Sequence, residues 1–535
     1  MKHFLSTIVA LCCTTALLAQ QQEFPIEKYG AVGDGRTLNT VAVQKAIDAA
    51  SKAGGGRVVV PKGSFVTGAL ELKSGVDLHL QEGAVILGSD KRADYEGVKH
   101  PALILAVKQQ GVSITGNGII DGRGRELMKD IFKRLQEGTL ADKEWPKKRP
   151  GEGTRTNLLY LEECTGVQVR QVLLKDATSW VTHYERCRNI VIDGIRLESR
   201  AYWNNDGIDI VDCKNVRITN SSINSADDAI CLKSVTPGEC CDGVYVENCT
   251  LRSSANAFKL GTGSRGGFRN ITVKNLRVYD TYRSAIALEA VDGGFLENID
   301  IRQVTAKNTG NAIFIKSGHR NNDRVYSAIK NIVIKDVTVE VPAGKPDAGY
   351  EMEGPLLKYP PGTVPVNNKL VSVSPWNHSY PDSTAVLYQH NIFPSSISGL
   401  PGHPVKNVLL ENITITYAGG AKKEVHYFPP DSLHLVTEAE KDYPEFSMFG
   451  ELPAWGFYVR HAEGIRMKNI KLISKEADYR AALIADDVKG LQLHTVSIPR
   501  STGLPVIILN KAAGAALEKI VLPVRPEIGI RQTPN

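Results

Sequence analysis

Cys187-Arg-Asn-Ile-Val-Ile192 is followed by Cys213-Lys-Asn-Val-Arg-Ile218 and Cys241-Asp-Gly-Val-Tyr-Val246, then by Phe268-Arg-Asn-Ile-Thr-Val273, Leu296-Glu-Asn-Ile-Asp-Ile301 and Ile329-Lys-Asn-Ile-Val-Ile334. Each copy reads as a leading residue, a polar residue, Asn or Gly, then apolar-x-apolar. With a copy at Cys164, the starts at 164, 187, 213, 241, 268 and 296 are 23 to 28 residues apart. Further copies start at Lys73, Gln109, Val405, Met467 and Val488. Apolar alternation over so short a run is strand periodicity, and a fixed period marks a repeat architecture. The spacing fits one coil of a parallel β-helix, in which each coil buries its inward residues against its neighbours and none is stable alone.

A second column keeps the same register. Asp206-Gly-Ile-Asp-Ile210, Asp228-Ala-Ile-Cys-Leu232, Asn256-Ala-Phe-Lys-Leu260, Ser284-Ala-Ile-Ala-Leu288 and Asn311-Ala-Ile-Phe-Ile315 align without gaps. The expected fold is therefore all-β, a single stack of coils spanning 20–535. Apolar residues at helical spacing between Asn39 and Ala53 predict a helix capping the open N-terminal end. Stretches near 124–156, 338–404 and 416–460, rich in Pro, Gly and charge, read as loop insertions on the rims. Gly 48 and Pro 26 of 535 residues exceed the usual combined share of roughly 12%, as many turns require. Cys164, Cys187, Cys213 and Cys241 share one repeat position and are expected as a column of small apolar side chains. Coil spacing near 4.8 Å makes a disulfide between stacked neighbours demanding.

The hydrophobic share of 42% and a net charge of +6 exclude global disorder. Met1-Lys2-His3, an apolar run from Phe4 and Ala16-Leu17-Leu18-Ala19 read as a secretory signal peptide over 1–19, so a secreted or periplasmic protein is expected. No later segment is long and apolar enough to span a bilayer. No nucleotide loop, metal-ligand spacing or nucleic-acid motif stands out; no metal, no cofactor, no nucleic-acid partner and a monomer are the expectation.

Asp206 and Asp228 stand one coil apart in the second column, and Asp227 adjoins Asp228 at the turn into the strand. Stacking brings their backbones to about 5 Å. Like charges that close disfavour full ionisation, so one carboxyl should hold a proton near neutral pH. A protonated and an ionised carboxyl side by side suit glycoside hydrolysis; turn residues or calcium ligands are the other reading of the same three. Alternation places Asp209, Cys231, Lys233, Lys259, Phe314 and Lys316 on the outward face, where lysines could hold an acidic sugar. His183 aligns with Asp209 and is expected to face the same groove, while Trp180, Tyr202 and Trp203 are available to stack on sugar rings.

These residues resemble glycoside hydrolase family 28, the polygalacturonase family of right-handed parallel β-helices. Tyr29-Gly-Ala-Val-Gly-Asp-Gly35, the following helix and Gly54-Gly-Gly-Arg-Val-Val-Val-Pro61 are similar to the start shared by pectin-active β-helices. The family's Asn-Thr-Asp motif corresponds to Asn204-Asn205-Asp206, and its Gly-Asp-Asp motif to Ala226-Asp227-Asp228. The resemblance implies an inverting mechanism, with Asp227 as general acid and Asp206 and Asp228 activating water. It implies a pectic oligo- or polysaccharide substrate held by Lys316, Lys259, Lys233, Asn256, Asn204 and His183. Two motifs depart: the family's histidine corresponds to Asn256 and its arginine to Phe314, with Lys316 kept. The insertions suggest action at chain ends. A β-helix polysaccharide lyase and a non-catalytic carbohydrate-binding β-helix are the competing readings. The lyase is disfavoured because no arginine of the repeat is expected near the carboxylates.

Overall fold

In the third position of each repeat copy the backbone turns a corner that ordinary side chains resist. Asn189, Asn215, Asn270, Asn298, Asn331 and Asn407 all adopt left-handed φ between 55° and 59°, and Gly243 and Gly464 take the same place at 70° and 68°. The copy starting at Met467 is out of register, because Asn469 stacks on Asn412 at another corner, its Nδ2 donating to Asn412 Oδ1 at 2.9 Å. Asn tolerates this region better than other residues with a side chain. Its amide also reaches the coil beneath. Asn215 Nδ2 donates to Asn189 Oδ1 at 3.2 Å, Asn298 to Asn270 at 3.3 Å, Asn331 to Asn298 at 3.3 Å and Asn407 to Asn331 at 3.2 Å. The Asn signature of the sequence is thus a ladder along one corner of the stack.

The computed structural model describes residues 22–145, 149–344, 346, 363–366, 369–372, 393–421, 430–449, 452–500, 505–523 and 530–533. Among them, 33 strands join one hydrogen-bonded network whose pairings are all parallel. Each strand pairs with those one coil before and after it. On one face run β1 (Asn157–Glu162), β2 (Thr182–Glu185), β3 (Ile208–Val211), β4 (Ile230–Ser234) and β5 (Phe258–Ser264). A second face stacks Thr165–Arg170, Arg188–Asp193, Lys214–Thr219 and the first half of Cys241–Ser253. A third stacks Leu173–Lys175, Arg196–Ser199, Ser222–Ser225 and the second half of Cys241–Ser253. This is a parallel β-helix, and its inward residues form one continuous core from Phe24 to Ala512.

The seven cysteines beyond residue 21 are free and buried. In the column, the Cys187 Sγ accepts the Cys164 N–H at 3.3 Å and the Cys213 Sγ accepts that of Cys187 at 3.2 Å, so the thiols stack as core. Helix α1 (Thr40–Lys52) buries Val43, Ala46, Ile47 and Ala50 in that core. The first insertion is not all loop. Gly124–Gln136 forms α2, which buries Leu127, Met128, Ile131, Phe132 and Leu135, a helical stripe that the surrounding charge hides in the sequence. Much of the second insertion, and residues 1–19, lie outside the described residues. The third contributes residues 433–449, which pack over the outer face of the coils after β5.

Asn298→Val is expected to lower the thermal midpoint more than Asn298→Gly. Both variants lose the ladder bonds, but only valine must enter the left-handed region, at a cost of about 1–2 kcal/mol. Scanning calorimetry checks this; equal losses would show that the amide ladder, not the backbone, selects Asn.

Candidate active site

The turn before β3 is built to hold one carboxylate in place. Asn205 is fully buried. Its Oδ1 accepts from Ser199 Oγ at 2.9 Å and from the Ala201 N–H at 3.0 Å, while Nδ2 donates to the carbonyls of Ala177 and Ser179 at 3.0 and 2.9 Å. Asn204 sits in left-handed backbone at φ 54°, and Arg155 Nη2 donates to its Oδ1 at 2.9 Å. Arg155 also donates to the carbonyls of Trp203 and Thr178. Its guanidinium is buried, which pulls its pKa down to about 10. Asp206 follows, then Gly207, where any Cβ would lie 2.5 Å from the Ala229 carbonyl oxygen. Only glycine lets the next coil stack this closely.

That next coil brings Asp227 and Asp228 to the turn before β4. The hydroxyls of Ser225 and Ser253 donate to the Asp227 carbonyl at 2.6 and 2.7 Å. Oxygens of Asp206 and Asp228 come within 4.8 Å of each other. Lysines on the outward face separate their charges. Lys233 Nζ lies 3.0 Å from Asp206 Oδ2 and also contacts Asp209; Lys259 Nζ lies 3.0 Å from Asp228 Oδ2. The backbone N–H and Nδ2 of Asn256 donate to Asp228 Oδ1 at 2.9 and 2.8 Å. Asp206 Oδ1 has no hydrogen-bond partner among the described residues.

The three carboxyls accordingly differ. Burial, with Asp206 and Asp228 beside it, pushes Asp227 up to about 7, and among the described residues Asp227 forms no ion pair. Burial also works against the Asp228 carboxylate, but Lys259, Lys233, Arg283 and the Asn256 amide outweigh it and hold the pKa at about 2. Asp206 is raised by burial, with Lys233 opposing and Asp228 adding to the rise. One group is thus poised to give a proton and another stays ionised. A divalent cation fits poorly. Ammonium groups already sit on one oxygen of each, Lys233 on Asp206 Oδ2 and Lys259 on Asp228 Oδ2, and the third nearby donor, Cys231, gives its thiol hydrogen to the Gly261 carbonyl at 3.1 Å, its pKa raised well above the ordinary range by burial.

A pocket of about 300 Å³ opens over this cluster. Of the sequence-predicted residues, Asp206, Asp227, Asp228, Asn204, Lys233, Lys259, Trp180 and Trp203 line it, while Tyr202 is buried in the core. Asn256, His183 and Lys316 do not. Asn256 stands behind Asp228 as its hydrogen-bond donor. His183 is wedged between Trp180 and Tyr160, both with ring centroids 4.8 Å away, and burial lowers its pKa to about 3. Lys316 is covered by the third insertion, its Nζ donating to the Glu438 carbonyl at 2.8 Å; burial pulls its pKa to about 7. Phe314 packs with Phe393, Phe446 and Met448 beneath the same cover.

The pocket also holds residues the sequence reading did not select. Arg283 corrects the expectation that no repeat arginine approaches the carboxylates: it stands two coils beyond Asp227 in the same alignment, at 227, 255 and 283, and lines the pocket. That alignment was the available signal. Its Nη2 lies 3.0 Å from Glu445 Oε2. Tyr443 enters from the third insertion, its hydroxyl accepting from Lys259 Nζ at 3.2 Å, and Arg149 and Glu152 enter from the first. No repeat spacing marks these three.

The profile described as glycosyl hydrolases family 28 matches residues 51–351. The exo-poly-alpha-D-galacturonosidase of Dickeya chrysanthemi is 26% identical over 466 residues, covering 75% of this chain and 76% of that protein. A probable polygalacturonase of Vitis vinifera is 26% identical over 76% of this chain and 77% of its own length. Among solved structures, the hyperthermoactive exopolygalacturonase from Thermotoga maritima superposes with a TM-score of 0.57 at 20% identity, covering 84% of this chain and 92% of that one; it shares the fold.

Arg155→Met is expected to destabilise the protein by about 1–3 kcal/mol, the cost of leaving buried acceptors unpaired. It is also expected to lower activity, because Asn204 and the turn to Asp206 lose their anchor. Thermal unfolding and initial rates check both; an unchanged midpoint would refute the anchoring role.

Proposed function

The chain belongs to glycosyl hydrolases family 28 and is a glycosidase, and from that premise we propose that it cleaves α-linked galacturonate or a related pectic glycoside with inversion at the anomeric carbon. The observation that carries the reading is the split between Asp227 at about 7 and Asp228 at about 2 in one pocket. Asp227 gives its proton to the leaving glycosidic oxygen. In this mechanism the attacking water is placed between Asp206 and Asp228, whose oxygens come within 4.8 Å of each other. Asp206 Oδ1 accepts a hydrogen bond from that water, and the ionised Asp228 takes its proton as the water attacks the anomeric carbon from the face opposite the leaving group. Lys259, Lys233 and Arg283 keep Asp228 ionised at a pH where Asp227 is still protonated. A lyase needs a basic residue to abstract a proton, and the pocket's repeat arginine does not suit it: burial disfavours its charge, but Glu445 outweighs this and holds Arg283 firmly protonated.

The relatives' names support the pectic substrate. Action at chain ends is supported by the walls. Residues 149–155 flank the carboxylates on one side, and 433–449 cover the face beyond β5 on the other, making a pocket and not an open groove. In the same reading the coils wind right-handed, α1 caps the N-terminal end of the stack, 20–535 form one catalytic domain, and the enzyme works as a monomer. The signal-like residues 1–19 support export to the periplasm or beyond.

Asp227→Asn is expected to cut hydrolysis of galacturonate oligosaccharides by roughly 100-fold or more, the usual worth of a general acid, with binding kept. Because the acid must be protonated, kcat is expected to fall as pH rises through about 7. First-formed product read by NMR should carry the inverted anomer. An unsaturated product absorbing in the ultraviolet, or a rate untouched by the substitution, would overturn the proposal.

A further inference from the structure

The cations around the pocket are mostly engaged by the protein's own carboxylates. Lys233 is held by Asp206 and Asp209, Lys259 by Asp228 with Glu289 at 3.7 Å, and Arg283 by Glu445. Lys316, the lysine the family pattern would use, is shut away under residues 433–449. Arg149 differs. It lines the pocket, its guanidinium carbon lies 4.8 Å from the centroid of the Trp203 ring, and among the described residues it has no carboxylate partner.

We infer that Arg149, resting on Trp203, is the receptor for the carboxylate of the sugar in this pocket, an inference that rests on the pectic-hydrolase reading for its choice of ligand. A guanidinium carries its donors in one rigid plane that matches a carboxylate two-to-two. Contact with an indole face fixes that plane while leaving the N–H edge available. Trp203 is three residues before Asp206, so the ring that carries Arg149 stands on the turn of the catalytic cluster, and Arg149 and the carboxylates line one pocket. Glu152, exposed and without an ion pair among the described residues, faces the same pocket; it accepts hydrogen bonds from sugar hydroxyls and opposes indiscriminate binding of anions. The first insertion thus brings to the pocket a guanidinium that none of the described carboxylates engages.

The test compares Arg149→Met and Arg149→Lys with the full wild-type chain in two assays. In the first, binding of D-galacturonate and of D-galactose is measured by calorimetry. The wild type should prefer the acid. Arg149→Met should lose on the order of 10–100-fold in affinity for it, the loss expected for a charged hydrogen-bonded pair, with galactose binding unchanged and Arg149→Lys between the two. In the second, galacturonate oligosaccharides and their methyl esters are hydrolysed, and the acid-over-ester preference in kcat/KM should collapse in Arg149→Met through KM. Equal losses for acid and ester, or for galacturonate and galactose, would overturn the receptor and leave a packing role. Acid affinity unchanged in Arg149→Met would overturn it outright. A wild type that binds galacturonate through Arg149 but hydrolyses neither substrate would keep the receptor and remove the hydrolase reading.

Discussion

Parallel coils stack about 4.8 Å apart, so residues at one repeat position must lie against each other whatever their charge. Everything else in this protein follows from how each column meets that demand. Apolar columns meet it by burial, thiols by resting on the backbone of the next coil, and the Asn corner by passing one amide hydrogen to the next coil. At Asp206 and Asp228 the demand is hardest, because two carboxylates are forced together beneath a partly closed surface.

The neighbouring columns answer it. Lys233 and Lys259 stand on the outward positions of β4 and β5, one coil apart, and each takes a different carboxylate. Asn256 adds two N–H groups to Asp228, so that carboxyl is held ionised. Asp227 lies outside the column, at the turn, and forms no ion pair among the described residues; burial beside two carboxylates raises it to about 7. The asymmetry needed to give and take protons is therefore a product of register: two residues adjacent in sequence fall on different sides of the coil's corner.

Whatever obeys the repeat was legible in the sequence. The strand columns, the Asn or Gly corner, the trio Asp206, Asp227 and Asp228, and the outward placement of Lys233 and Lys259 all follow from counting coils. Arg283 was equally countable, lying on the alignment that contains Asp227. The rest depends on segments without a period. Alternation says that Lys316 and Phe314 point away from the core, but not that residues 433–449 return to bury them. The same holds for Tyr443 and for Arg149, whose positions are set by insertions that pack through tertiary contacts alone. Helix α2 escaped because its apolar stripe is diluted by charged residues on the exposed side.

The most direct measurement is the titration of the carboxyls themselves, by difference infrared spectroscopy of the wild type against Asp227→Asn. The account expects a protonated carboxyl band that disappears near pH 7 in the wild type and is missing from the variant. If every carboxyl of the wild type is ionised by the ordinary range, about pH 4 to 5, Asp227 is no acid at working pH and the account is wrong.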